Sequence, residues 1–199
     1  MTGFDANISQ RVIVQENFKE ILSLINKQAK TFIYADFFLW NNWQGSIPEN
    51  YRKLSTELAD ALIHKKYVCP EITILILTDP INRAYGNMES EFYHRMADAG
   101  IAIVFTELSM LRDSNILYSI PARILGKLCT KIPCVKEILN KQIVPNLLNA
   151  TGENMSLYQL GQLLFFKANH RKLIIADTND RCWKMIVTSF NPADNSSAH

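Results

Sequence analysis

Apolar residues at Phe18, Ile21, Leu22 and Ile25 recur every three to four positions, so the segment from about Glu16 to Lys30 predicts an amphipathic helix. Thr31 to Trp40 reads as a strand. Pro48 then suits a first helical turn, and Tyr51, Leu54, Leu58, Ala61 and Leu62 mark one face of a second helix. Ile72 to Thr78 is short, almost wholly apolar and rich in β-branched residues, which predicts a strand buried on both faces. A third helix over about Ser90 to Ala99 stops at Gly100 and leads into the strand-like run Ile101 to Phe105. The regular alternation predicts an α/β fold, a mixed and largely parallel sheet sandwiched between helices.

The alternation breaks after Phe105. From about 107 to 161 come Pro121, Pro133 and Pro145 with two amphipathic stretches, Ile116 to Leu128 and Val135 to Leu148, and no strand signal. This predicts a helical insertion within one domain spanning 1–199. Three strand-like runs follow, about Leu163 to Ala168, Lys172 to Ala176 and Trp183 to Ser189. The turn-like Thr178-Asn179-Asp180 predicts that the last two pair antiparallel.

Composition narrows the class without naming a function. A chain of 199 residues with 48% apolar and 20% charged side chains is globular, and long enough to build a core without metal or disulfide. The net charge of +2 is too small for a nucleic-acid coat or a polybasic anchor, so any basic footprint is local. It is found between Glu107 and Asn149, where Arg112, Arg123, Lys127, Lys131, Lys136 and Lys141 outnumber Glu107, Asp113 and Glu137. Two readings stay open there: helices with solvated lysine faces, or a basic apolar flap that meets an anionic lipid surface or a phosphate-bearing substrate. Cys69, Cys129, Cys134 and Cys182 predict reduced, buried thiols; Cys129 and Cys134 resemble half a zinc site that no other pair completes. No signal peptide and no membrane-length apolar run is visible, which predicts a cytoplasmic protein, with peripheral membrane contact as an extension.

The chemistry concentrates in Asn169-His170-Arg171-Lys172-Leu173-Ile174-Ile175-Ala176-Asp177 and in Thr188-Ser189-Phe190-Asn191. His170 and Lys172, two apart on a strand, share one face. An imidazole nitrogen can attack phosphorus while the ammonium neutralises the phosphate oxygens, a chemistry that calls for no metal or other cofactor. Ser189 and Asn191 can add neutral hydrogen-bond donors. Asp177, seven residues from His170, has the wrong parity to join that face unless a bulge intervenes or the strand ends first. Asp36, which interrupts an apolar run, and Asp79 with Asn82, at the C-terminal end of a buried strand, are further pocket candidates. Turn and capping duty is the competing reading for the last two.

His170-x-Lys172-x4-Asp177, followed by Ser189 and Asn191, resembles the HKD signature of the phospholipase D superfamily. A chance match to His-x-Lys-x4-Asp in this composition is expected on the order of 0.01 times. The stretches Tyr34–Asn41, Thr78–Asn82 with Tyr85-Gly86, Arg112–Asn115 with Tyr118-Ser119, and Phe166–Lys172 are similar to those of bacterial cardiolipin-synthase-like members. The resemblance implies a phospholipase D-like fold and a metal-independent phosphodiesterase or phosphatidyl transferase acting on a phospholipid through a phosphohistidine. It assigns catalysis to His170, Lys172 and Asp177 and phosphate binding to Ser189 and Asn191. Two departures stand out: Thr188 replaces the usual glycine, and the gap between Asp177 and Ser189 is longer than in the common pattern. The family's chemistry needs two histidines, and this chain holds one HKD motif. It is therefore expected to be the N-terminal half of a two-motif enzyme, or else to meet a second copy of itself. A dimeric HKD nuclease and a non-catalytic phosphate- or lipid-binding half-domain are the alternatives. The near-neutral charge disfavours nucleic acid.

Overall fold

A computed structural model of the chain describes residues 16–43, 52–86, 89–111, 120–121, 124, 127, 131–146, 152–163, 167–178 and 182–198. The first amphipathic run forms α1, helical over 16–28, whose last turn, Leu24–Gln28, widens to π geometry. Phe18, Ile21, Leu24 and Ile25 are buried and Lys19, Glu20 and Lys27 face water, as their spacing predicts. The chain continues through β1 (Phe32–Phe37), α2 (Leu54–Val68), β2 (Thr73–Thr78), α3 (Glu91–Asp98) and β3 (Ala102–Phe105). Pro48 lies outside the described residues. Gly100, at φ 79, turns α3 into β3 through the left-handed region that a side chain would strain.

The insertion is not purely helical. Its helix Pro133–Asn140 stops well short of Leu148, and β4 (Gln142–Val144) pairs antiparallel with β5 (Met155–Ser156) as a separate two-stranded sheet. Pro145 keeps a helix from running through to Leu148, because a proline pushes the residue before it into extended geometry. The expected helix Ile116 to Leu128 falls mostly outside the described residues, though 120, 121, 124 and 127 are helical. The helix Leu157–Leu163 follows β5 directly, and residues 167–170 form no regular element, so no strand over Leu163 to Ala168 is found among the described residues. Gln159 docks this insertion: its Oε1 accepts from Ser156 N at 2.6 Å and its Nε2 donates to Ala84 O at 2.6 Å. Ala84 is buried and holds a positive φ of 40, a strained geometry for a non-glycine residue.

β6 (Lys172–Asp177) and β7 (Trp183–Val187) complete a five-stranded sheet in the order β3-β2-β1-β6-β7. β1, β2 and β3 run parallel, while β6 is antiparallel to both β1 and β7. The fold is thus α/β with a mixed sheet, and the predicted antiparallel pair is present.

Helix cover is uneven. Ile33, Ala35, Phe37, Ile74, Ile76, Ile174, Ala176 and Ile186 form one face, and they share a single core with the apolar sides of α1, α2 and α3. The opposite face carries Leu75, Leu77, Leu173 and Ile175, all half-buried. Towards the sheet's edges it carries Val104 (47% exposed), Trp183 (64%), Met185 (59%) and Val187 (67%). β2 therefore alternates instead of being buried on both sides. The expected sandwich is realised on one face, and the described elements leave the other partly open. The cysteines also differ from expectation, since Cys134 and Cys182 are exposed and Cys69 is half-buried; Cys129 lies outside the described residues.

Candidate active site

The C-terminal ends of β1, β2 and β3 meet the N-terminal end of β6 and the C-terminal end of β7 along one edge of the sheet. Short polar side chains tie these ends together. Thr78 Oγ1 donates to Phe37 O at 2.7 Å, and Thr106 N donates to Thr78 O at 2.9 Å. Asn82, fully buried, donates through Nδ2 to Phe38 O (2.7 Å) and Thr78 Oγ1 (2.8 Å). Its Oδ1 accepts from Trp40 N (2.8 Å) and Asn41 Nδ2 (2.9 Å). With both ends of its amide spent on the chain itself, Asn82 is a clamp between the β1 and β2 exits and has no spare valence for a ligand.

On this edge His170 and Lys172 come together. Lys172 is the first residue of β6 and faces the same side as Phe37, Ile174 and Ala176; His170 precedes the strand. Lys172 Nζ stands 3.2 Å from His170 Nδ1 and 3.3 Å from Nε2, and Nζ is only a donor, so the imidazole accepts. The Phe38 ring lies 4.7 Å from the imidazole, centroid to centroid, and Nζ is 5.7 Å from the Phe38 centroid. Lys172 is buried, and that desolvation lowers its pKa. Among the described residues no carboxylate lies within ion-pair distance of it.

Asp36 and Asp79, expected as pocket residues, are buried and converge on Asn169, the residue before His170. Asp79 Oδ2 accepts from Asn169 N at 3.0 Å and Asp79 Oδ1 from Ile81 N at 2.9 Å. Asp36 Oδ1 accepts from Asn169 Nδ2 at 2.8 Å, and Asn169 Nδ2 is also 3.2 Å from Thr106 Oγ1. Burial raises the pKa of both carboxyls against the opposing effect of these bonds. Asn169, Phe38 and Thr106 were not predicted as site residues. The one available signal was that Asn169 and Phe38 stand within the motif-bearing stretches.

After β7, Thr188 N donates to Lys172 O at 3.0 Å, which brings the Ser-Phe-Asn segment to the same edge. Phe190 is buried against Phe18 and anchors the segment; Ser189 stays exposed. Asn191 Oδ1 accepts from Leu39 N at 3.0 Å, next to the Phe38 that packs on His170. That bond fixes the amide, and its donor end meets no acceptor among the described residues.

Asp177 is the correction. No bulge turns it toward His170; β6 runs regularly to its far end, about 16 Å from Lys172 at the usual strand rise. There its carboxylate accepts from Thr31 Oγ1 (2.7 Å), Phe32 N (2.8 Å), Thr31 N (2.9 Å) and Lys30 N (3.3 Å). Burial alone would raise its pKa, but these donors prevail and hold it at about 2. It splices β6 to the entrance of β1, at the opposite end of the strand from His170 and Lys172.

Compared with family models, curated proteins and solved structures, the chain finds no match in any of the three.

Proposed function

We propose that this chain is a phospholipase D-type phosphodiesterase or phosphatidyl transferase with a phospholipase D-like fold, acting on glycerophospholipids through a phosphohistidine on His170. The observation that carries the reading is the buried ammonium of Lys172, set against the His170 ring with no carboxylate partner among the described residues. A buried cation without its own anion is costly, and a phosphate diester supplies the missing charge. A ring nitrogen of His170 attacks phosphorus, the P–O bond to the leaving alcohol breaks, and that oxygen takes a proton from a second histidine. The same histidine then removes a proton from water or an acceptor alcohol, which displaces His170. Lys172 and the amide donor of Asn191 stabilise the phosphoryl oxygens throughout, so the transfer needs no metal.

His64 on α2 and His94 on α3 stand in no His-x-Lys-x4-Asp pattern, and His199 lies outside the described residues, so the second histidine is sought elsewhere. It comes from a second HKD half, contributed by further chain or by a second copy. The lipid reading gains support from the insertion, where Ile132, Ile138 and Ile143 are exposed beside Lys131, Lys136 and Lys141. An apolar and basic surface suits an anionic bilayer better than nucleic acid. No helix among the described residues is long and apolar enough to cross a membrane, and the contact proposed is peripheral.

The test incubates the chain and its His170→Ala variant with fluorescent phosphatidylglycerol vesicles and with plasmid DNA, each with and without EDTA. Lipid turnover that survives EDTA and vanishes in the variant is expected. Cleavage of DNA alone makes the protein a nuclease, and equal inertness of both chains on both substrates makes it a binding module where sedimentation shows a dimer, in which two copies of His170 are already present.

A further inference from the structure

We infer that Asp36 is a positioning residue for His170, acting through the residues on either side of it. One buried carboxylate reaches both neighbours: Oδ1 accepts from Asn169 Nδ2 at 2.8 Å, and Oδ2 pairs with Arg171 at 3.7 Å. Tyr34 Oη also donates to Oδ2, at 3.1 Å. Asp36 faces the partly open side of the sheet, its β6 partner across the ladder being Leu173. Asn169 and Arg171 are thereby pinned toward Asp36, and Lys172, which begins the strand opposite Phe37, points to the other face. That is where the imidazole and the ammonium meet.

The anchoring is redundant in a way a turn does not require. Asn169 makes hydrogen bonds to Asp36 in β1, to Asp79 just beyond β2 and to Thr106 just beyond β3, so three parallel strands converge on a single residue outside the ladder. A main chain held from three directions leaves the next side chain little freedom. For a nucleophile, that freedom is what sets the rate, because about 1 Å of misplacement costs on the order of 100-fold. The role rests on the phosphodiesterase reading only for its rate consequence; the orientation of the ring is a property of the chain by itself.

The variant is Asp36→Asn, nearly the same shape, which keeps an acceptor for Asn169 but no longer attracts the Arg171 guanidinium. Two readouts are made on the folded full chain: the His170 ring signals in a ¹H–¹³C NMR spectrum, and kinetics on bis(p-nitrophenyl) phosphate. The expected result is an unchanged thermal midpoint, broadened or split His170 signals, and kcat lower by about 10- to 100-fold with KM unchanged. Asn169→Ser, which shortens the other arm of the clamp, is expected to give the same split between kcat and KM, and it serves if Asp36→Asn does not fold. Unaltered ring signals in a folded variant overturn the proposal. If the wild-type chain hydrolyses no diester even as a dimer, the function fails, and the ring signals alone still decide the positioning role.

Discussion

The two ends of β6 present opposite treatments of charge. At one end Asp177 carries a full negative charge, and four donors from Lys30, Thr31 and Phe32 hold its pKa at about 2. At the other, Lys172 is desolvated, its pKa is lowered, and its near neighbours are an imidazole, a carbonyl and an aromatic ring. Both residues belong to the same His-x-Lys-x4-Asp signature and the same six-residue strand. A charge whose partners are all supplied by the chain is spent on architecture. Lys172 has no carboxylate counterion among the described residues, and the proposed function gives that place to a phosphate.

The contrast can be broken in order of expected effect. His170→Ala, or Lys172→Met, should cut turnover of a phosphodiester by about 1,000-fold or more, roughly 4 kcal/mol of barrier, as measured by kcat. Lys172→Met should in addition raise the thermal midpoint, because it removes a buried unpaired cation; a lower midpoint would mean that the lysine serves the fold. Asn82→Ala, at the same end but fully committed to the backbone, should cost about 2–4 kcal/mol in urea unfolding by stranding Trp40 N and Phe38 O. Asp177→Asn should cost about 1–2 kcal/mol, allowing for partial solvent screening, and leave kcat alone. A large loss of kcat in a fully folded Asp177→Asn chain would erase the distinction between the two ends.

The finest test of the contrast is the pH dependence of that last difference. The folded-state pKa of Asp177 lies below its ordinary value of 3.8, so its contribution is complete above 3.8 and is lost as pH falls through about 2. The stability gap between wild type and Asp177→Asn, measured by urea unfolding, should therefore be constant from pH 7 to about 5 and close toward pH 2. Asp36 and Asp79 have raised values and contribute in the opposite sense, favouring the fold as they take up protons on acidification. Because they are present in both chains, they cancel from the gap.

What was legible in the sequence is what periodicity encodes. The stripe Phe18–Ile25, the runs at Ile72 and Ile101, and the meeting of His170 with Lys172 follow from spacings of 3.6 and 2. Periodicity says which way a side chain points relative to its neighbours, and nothing about what arrives from elsewhere in the chain. The resemblance assigns Asp177 to catalysis and its parity argues against that, but its partners, Lys30 to Phe32, lie at the other end of the sequence where no spacing shows them. Asn169 went unassigned for the same reason, since its anchors Asp36, Asp79 and Thr106 are spread over three strands. The small β4–β5 sheet escaped because two or three residues are too few to show an alternation. The apolar run of β2 read as doubly buried because it does not record that helices line only one side.

That partly open side has an optical consequence. Of the chain's three tryptophans, Trp40 and Trp43 are buried, whereas Trp183 lies exposed on the outer face with its ring edge-on to Phe32 at 5.6 Å. Aqueous iodide should therefore quench one indole and spare two, and the quenchable emission should be the red-shifted component. Whatever comes to lie over β7, be it lipid, further chain or a second molecule, will announce itself as a blue shift and a loss of quenching, with no label added.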